Sequence, residues 1–241
     1  MYKTEAHIHT KESSICGKAD AARLVEIYKE KGFHTLFITD HINNGAFMSW
    51  EGLSWEERID RFYLGYEEAR RRGDEIGVRV LFAVEVKFME PEGNMHDYLV
   101  YGLDREFLKS HPYFNIGSLE EFLEIKPEGA LLLQAHPYRN GCYPTPDLVD
   151  GIEVCNAHPR HENHNDSALA LAKERSFPVS VGSDVHMEGD AARAYVLTDE
   201  PIETVEDYIE AIRSGSCSFV TPYASGSPAC FLGLDPSALA D

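Results

Sequence analysis

Apolar positions in this chain follow two spacings that take turns along its length. Short apolar runs at 35–39, 78–88, 98–103, 130–135, 151–155, 179–182, 194–198 and 217–220 are bounded by Gly, Pro, Asn or Asp and predict strands. Between them the spacing shifts to that of a helix. Ala21, Leu24, Val25, Ile27 and Tyr28 predict a helix over 18–31, ended by Gly32. A second helix over 54–72 opens on Ser54-x-x-Glu57, a capping-box pattern, and stops before Gly73. Shorter helical patterns follow at 118–123, 166–175 and 204–214. Strands alternating with helices predict an α/β fold with a largely parallel sheet, and about seven such units favour a closed, distorted (β/α)7 barrel. The 241 residues fit a single domain spanning 1–241, with a Ser/Ala/Pro/Gly-rich tail after about residue 222 expected to be loosely packed.

Several apolar runs end in a histidine or an acid. His7 and His9 flank Ile8 in an N-terminal strand, so period-two alternation puts both imidazoles on one face. His41 closes the run at 37–41, Glu85 the run at 81–85 and His136 the run at 131–136, while Asp184 and His186 lie just past the run at 179–182. In a barrel of parallel strands these positions gather at one rim. Seven nitrogen and oxygen donors exceed what one zinc or manganese ion takes, which predicts two or three ions with a bridging carboxylate. Glu85, after a wholly apolar strand, is the natural bridge.

Composition narrows the classes. Eleven histidines are many for this length and point to metal. A formal net charge of −19 argues against general nucleic-acid binding, which needs clustered Lys and Arg. The five cysteines are scattered and odd in number, suiting a reducing cytoplasmic setting; no apolar run predicts a signal peptide or membrane span.

Taken in order, His7-x-His9-Thr10, Thr39-Asp40-His41, Val84-Glu85, the His96 that opens His96-Asp97-Tyr98-Leu99-Val100-Tyr101-Gly102, Ala135-His136-Pro137 and Gly182-Ser183-Asp184-Val185-His186 resemble the motifs of the PHP family, the polymerase and histidinol phosphatase domains. The resemblance implies a trinuclear site in a distorted barrel and metal-dependent phosphoesterase activity. It implies that His7, His9, Glu85 and Asp184 hold a first metal, Glu85, His96 and His136 a second, and His41 and His186 a third, with Zn, Mn or Fe as the ions. The loop after His9 lacks the usual Asp or His for that third ion. Glu12 is the favoured substitute and Cys16 the alternative.

Arg139, just past His136, suits bidentate grip on a phosphate. Arg160 is a similar candidate, and His158, on the loop after the strand at 151–155, is a candidate to bind substrate and protonate the leaving group. Asp40 is expected to orient an imidazole, and Cys142 to do no more than pack. The expected function is hydrolysis of a small phosphate monoester, a phosphorylated metabolite, by metal-activated water. The alternatives are a phosphodiesterase acting on a nucleotide or cyclic phosphate, or a non-catalytic metal-stabilised module.

Overall fold

A computed structural model describes residues 1–42, 50–89, 95–112, 114, 117–222 and 230–232. Strand β1 (Tyr2–Glu5) leads through helix α1 (Ala21–Glu30) to β2 (Thr35–Ile38) and the two-residue β3 (His41–Ile42). Helices α2 (Trp55–Phe62) and α3 (Leu64–Ile76) precede the long β4 (Arg79–Met89), which is followed by β5 (Met95–Tyr101). Then come α4 (Arg105–Ser110), α5 (Leu119–Ile125), β6 (Leu131–Gln134), β7 (Gly151–Asn156), α6 (Asn165–Arg175) and β8 (Val179–Gly182). The chain continues through β9 (Tyr195–Thr198), α7 (Val205–Ser214), β10 (Ser218–Thr221) and β11 (Cys230–Leu232).

The strands run β1-β2-β4-β5-β6-β7-β8 around the sheet, with β3 paired to the far half of β4. Past the ends of β1 and β8 the two edges meet in a parallel bridge between Ile8 and Val185, sealed by His9 N donating to Val185 O at 2.9 Å and Val185 N to His7 O at 3.2 Å. The sheet is thus a nearly closed barrel, stitched shut at the residues that carry the histidines. One strand departs from the expected parallel order. β5 is antiparallel to β4 and β6. Only residues 90–94 separate β4 from β5, far short of the dozen or so residues a parallel crossover needs. β9, β10 and β11 form an antiparallel extension beside β1. The tail after residue 222, predicted as loose, lies outside the described residues apart from β11.

Local chemistry accounts for the helix limits. The predicted helix at 54–72 is two helices broken at Tyr63, and the second runs on through Gly73 to a left-handed cap at Gly77. Gly73 serves close packing: a Cβ there would lie 2.5 Å from Val78 O. Ser54 and Glu57 form the predicted reciprocal cap on α2. Inside the barrel, Phe37 packs edge-on against Tyr101 at 5.1 Å and lies 4.7 Å from Tyr208 of α7, all three fully buried. Phe37→Ala is expected to destabilise the fold by about 3–5 kcal/mol in chemical denaturation. No helix among the described residues is long and apolar enough to cross a membrane.

Candidate metal centre

The β1 extension places Ile8 in the core and both flanking imidazoles on the barrel side, with the Nε2 atoms of His7 and His9 3.1 Å apart. Beneath them is Glu85, on the inward face of β4. Its Oε2 lies 3.2 Å from His7 Nε2, 3.1 Å from His9 Nε2 and 3.2 Å from His41 Nδ1. Its Oε1 lies 3.1 Å from His136 Nε2. One buried carboxylate therefore faces four imidazoles. Asp184 closes the other side, with Oδ1 3.2 Å from His9 Nε2, 3.6 Å from His7 Nε2 and 3.4 Å from His186 Nδ1. His41 stacks on His9 at 4.4 Å, and His186 lies against His9 at 4.7 Å.

Two of these residues sit in strained backbone. Asp184 (φ 51°) and His136 (φ 31°) occupy left-handed conformations that cost non-glycine residues about 1–3 kcal/mol. Gly182 lets β8 approach β1, since a Cβ there would stand 2.4 Å from the Cβ of His7.

A buried layer behind the donors aims them. Glu153 Oε1 accepts from His7 Nδ1 at 2.9 Å, which leaves His7 Nε2 as the lone-pair nitrogen facing Glu85. Glu153 Oε2 accepts from His136 N at 3.0 Å and from Asn156 Nδ2 at 2.9 Å, and Asn156 Nδ2 also reaches Asp184 Oδ2 at 3.1 Å. Residues three apart in a regular strand face opposite sides. A bulge between Glu153 and Cys155 in β7 turns Asn156 to the same side as Glu153. His158 and His186 both donate Nδ1–H to the carbonyl of Asp184, at 2.9 and 3.0 Å, so each keeps a lone pair on Nε2. Glu153→Gln is expected to weaken metal binding about 10- to 100-fold, read by chelator competition, because the amide holds His7 without a charge.

Electrostatics follow from this crowding. Burial pushes Glu85 up, yet His41, His7 and His136 hold it well below the usual carboxylate range. Asp184 is likewise held far down, against burial, by His7, His9 and Arg139. Burial pulls His9 down, but Asp184 and Glu85 raise it to about 9. His41 and His186, where burial dominates, fall to about 3 and about 4.

Among the described residues, four donor sets converge closely enough to share an ion: His7, His9 and Glu85; His9, His41 and His186; His158, Asp184 and His186; and His41, Glu85 and Asp97. Buried polar atoms without a hydrogen-bond partner cluster here too, including His9 Nδ1, His41 Nδ1, His136 Nδ1 and Asp97 Oδ1. Imidazole and carboxylate lone pairs meeting in one buried space fit a divalent cation.

The structure brings His7, His9, His41, Glu85, His136, Asp184 and His186 together and moves the remaining candidates elsewhere. His96 pairs with Phe88 and so lies on the outer face of β5, its ring 4.2 Å from that of Tyr143. Its neighbour Asp97 pairs with Lys87 on the inner face, beside Glu85, and takes the place expected of His96. Alternation could not flag this, because both faces of β5 carry large apolar residues.

Glu12 does not join the cluster. Both its carboxylate oxygens accept from Ala21 N, at 3.1 and 3.2 Å, capping α1. It takes this role because Asp20, at the capping position, makes no side-chain cap and pairs with Lys11 instead. Cys16 is the loop side chain nearer the centre: burial, then Glu85, Asp40 and Asp184, push its thiol up to about 12. Asp40 binds no imidazole. It accepts from Thr10 N, Thr10 Oγ1 and Ser14 Oγ, each at 2.7 Å, fixing the loop after His9.

Arg160 forks onto both oxygens of Asp190, at 2.9 and 2.6 Å, and Asp190 in turn accepts from His186 N. It braces the turn that presents His186, its Nη1 and Nη2 committed to Asp190 although the side chain is exposed. Arg139 stands at the centre, giving Nε to Asn163 and Nη2 to Asn156 and to Asp184, the last at 2.6 Å. At Cys142, against burial, His136 and His96 draw the thiol down to about 7.

The comparisons agree with this geometry. Residues 162–217 match the family model of PHP-associated segments. The fold superposes on a two-domain Bacteroides vulgatus protein containing a predicted PHP-like metal-dependent phosphoesterase, with a TM-score of 0.68 and 15% identity over 91% of this chain. This chain shares the fold of that PHP-like protein. It spans 64% of the length of the Bacteroides protein. The fold also superposes on an amidohydrolase from Chromobacterium violaceum, solved with bound sulfate and no metal, with a TM-score of 0.53 and 16% identity over 93% of this chain and 99% of that one. In sequence it is 28% identical over 184 residues, 69% of this chain and 89% of the other, to the uncharacterised protein MJ1587 of Methanocaldococcus jannaschii.

Proposed function

We propose that this chain is a PHP-family enzyme that hydrolyses a small phosphate monoester with the help of two or three divalent ions of Zn, Mn or Fe. The observation that carries the reading is Glu85, one buried carboxylate shared by His7, His9, His41 and His136. His7, His9, Glu85 and Asp184 would hold one ion, and Glu85, His136 and Asp97 a second. His41 and His186 would hold a third. When bound, such ions supply Lewis-acid stabilisation of phosphoryl oxygens and an activated water.

The chain's own groups do the rest. Arg139 is pinned by Nε and Nη2, while Nη1 hydrogen-bonds no described residue and is left to meet a phosphate oxygen. His158, with Nδ1–H fixed on the Asp184 carbonyl, keeps a basic Nε2, and burial lowers its pKa so that it enters the reaction neutral. It therefore serves first as a base toward water and then returns the proton to the departing alkoxide, which adds a base step to the acid role read from its loop position. The sulfate in the Chromobacterium amidohydrolase shows a tetrahedral oxyanion in a protein of this fold and supports a phosphate ligand here. The net charge of −19 favours a small substrate over a polyanion.

The test is phosphate release from para-nitrophenyl phosphate and its bis ester, using protein stripped of metal and reloaded with Zn, Mn or Fe in turn. Metal-dependent turnover with a preference for the monoester supports the reading. Equal turnover in the stripped protein, or a preference for the diester, refutes it.

A further inference from the structure

Lys87 takes no part in the reading above, yet it points into the same space. It lies on the inner face of β4, two residues past Glu85 toward the barrel mouth, directly across from Asp97. Its Nζ is 3.2 Å from Asp97 Oδ2, and its side chain is 29% exposed, so the ammonium is anchored at one side and open at the other. An ammonium has three donors, and among the described residues Asp97 is the one acceptor that Nζ meets. The pair is unevenly satisfied, because Asp97 Oδ1 is buried without any partner and remains available to an ion. The charge of Lys87 helps to lower His41, and Cys142, on the loop after His136, helps to raise Lys87, in keeping with its place on the inner face beside Glu85.

Arg139 has the matching arrangement across the centre, tied to Asp184. Each cation is tethered by a carboxylate that faces the donor cluster, and the shared Glu85 lies between them. We propose that Lys87 and Arg139 form a two-point clamp for the terminal phosphate and that Lys87 gives the site its preference for a monoester over a diester. A monoester presents a dianion with three free oxygens, enough for ions, guanidinium and ammonium together. A diester carries one charge and has two such oxygens, so it has less to offer the ammonium. The inference rests on the phosphoesterase reading for its substrate class, but binding of phosphate can be measured without turnover.

The experiment uses metal-loaded full-length protein, with inorganic phosphate as the probe in calorimetry and the two para-nitrophenyl esters as substrates. Lys87→Met is expected to weaken phosphate binding about 10- to 100-fold, the range set by losing one charge-assisted hydrogen bond, and to raise KM for the monoester in parallel. The ratio of monoester to diester kcat/KM is expected to fall about tenfold, and Lys87→Arg to restore much of it, which a merely structural role would not produce. Lys87→Gln, nearer in polarity, covers the case in which Lys87→Met does not fold. If phosphate binding depends on Lys87 but neither ester is turned over, the clamp stands and the phosphoesterase reading fails. If esters are turned over while Lys87→Met and Lys87→Gln bind phosphate as the parent does, or lose both esters equally, the clamp is wrong.

Discussion

Glu85→Gln is expected to lower phosphate release about a thousandfold or more and to cut bound metal, with the chain still folded when loaded protein is measured. The magnitude follows from removing a charged, shared ligand. Several kcal/mol of charge stabilisation supplied by a metal corresponds to roughly three powers of ten in rate. Gln keeps the shape but offers a neutral amide, whose NH2 would oppose at least one of the nitrogens now 3.1–3.2 Å from the carboxylate. The same change acts on the metal-free protein. His9 and His136 are raised to about 9 in part by Glu85, so Gln would leave buried cations without their main counter-charge. Breaking a buried pair in this way costs about 3–5 kcal/mol, so the metal-free variant should melt well below the metal-free parent. Elemental analysis, phosphate release and thermal melts on the two proteins check all three effects. Full metal content with near-parent activity would sink the assignment of Glu85.

Most of the centre was legible because each donor ends an apolar run. In a barrel, that one property places His7, His9, His41, Glu85, His136, Asp184 and His186 at a single mouth without further information. The misplaced residues were those whose role depends on pairing or competition. His96 and Asp97 are adjacent, and only the register against β4 decides which of them faces inward. Both faces of β5 are buried, with Tyr98 and Val100 on one side and Leu99 and Tyr101 on the other, so period two carries no label there. Glu12 was read as a ligand because of its type and place. It caps α1 because Lys11 competes for Asp20. The Glu153 and Asn156 pair was hidden by a bulge that breaks the alternation a sequence reading must assume. The antiparallel course of β5 was foreshadowed by the few residues between the two apolar runs, but the alternating pattern of elements argued for a parallel strand more strongly.

Metal affinity should climb steeply with pH, by about a thousandfold per unit up to pH ~9, while the metal-free fold loses stability over the same range. The sign follows from which protons the centre holds. In the metal-free chain His9 and His136 are raised to about 9: burial opposes the charge, Asp184 and Glu85 favour it at His9, and Cys142 and Glu85 favour it at His136. His7 is raised well above 6.5 too, because Asp184, Glu153 and Glu85 outweigh its burial. His41 and His186, pulled down by burial to about 3 and about 4, are already neutral. An ion can bind only the neutral imidazole, so uptake at pH 7 must expel protons from His7, His9 and His136. Three displaced protons give a factor of about one thousand in affinity per pH unit below their pKa values. For the metal-free fold the linkage runs the other way. A histidine raised in the folded state contributes stability that is fully present below its unfolded value of 6.5 and is lost as pH rises through about 9. Glu5, raised by burial to about 7, and Asp40, raised by burial to about 6, give a slope of the same sign at lower pH, complete by about 7 and about 6. The melting temperatures of loaded and metal-free protein should therefore diverge between pH 6 and 9, the loaded form gaining by mass action as affinity rises. Calorimetry of metal uptake in buffers of different ionisation enthalpy should show about three protons released per chain at pH 7. Affinity that is flat between pH 6 and 9, with no proton release, would mean that these imidazoles are not the groups that receive the metal.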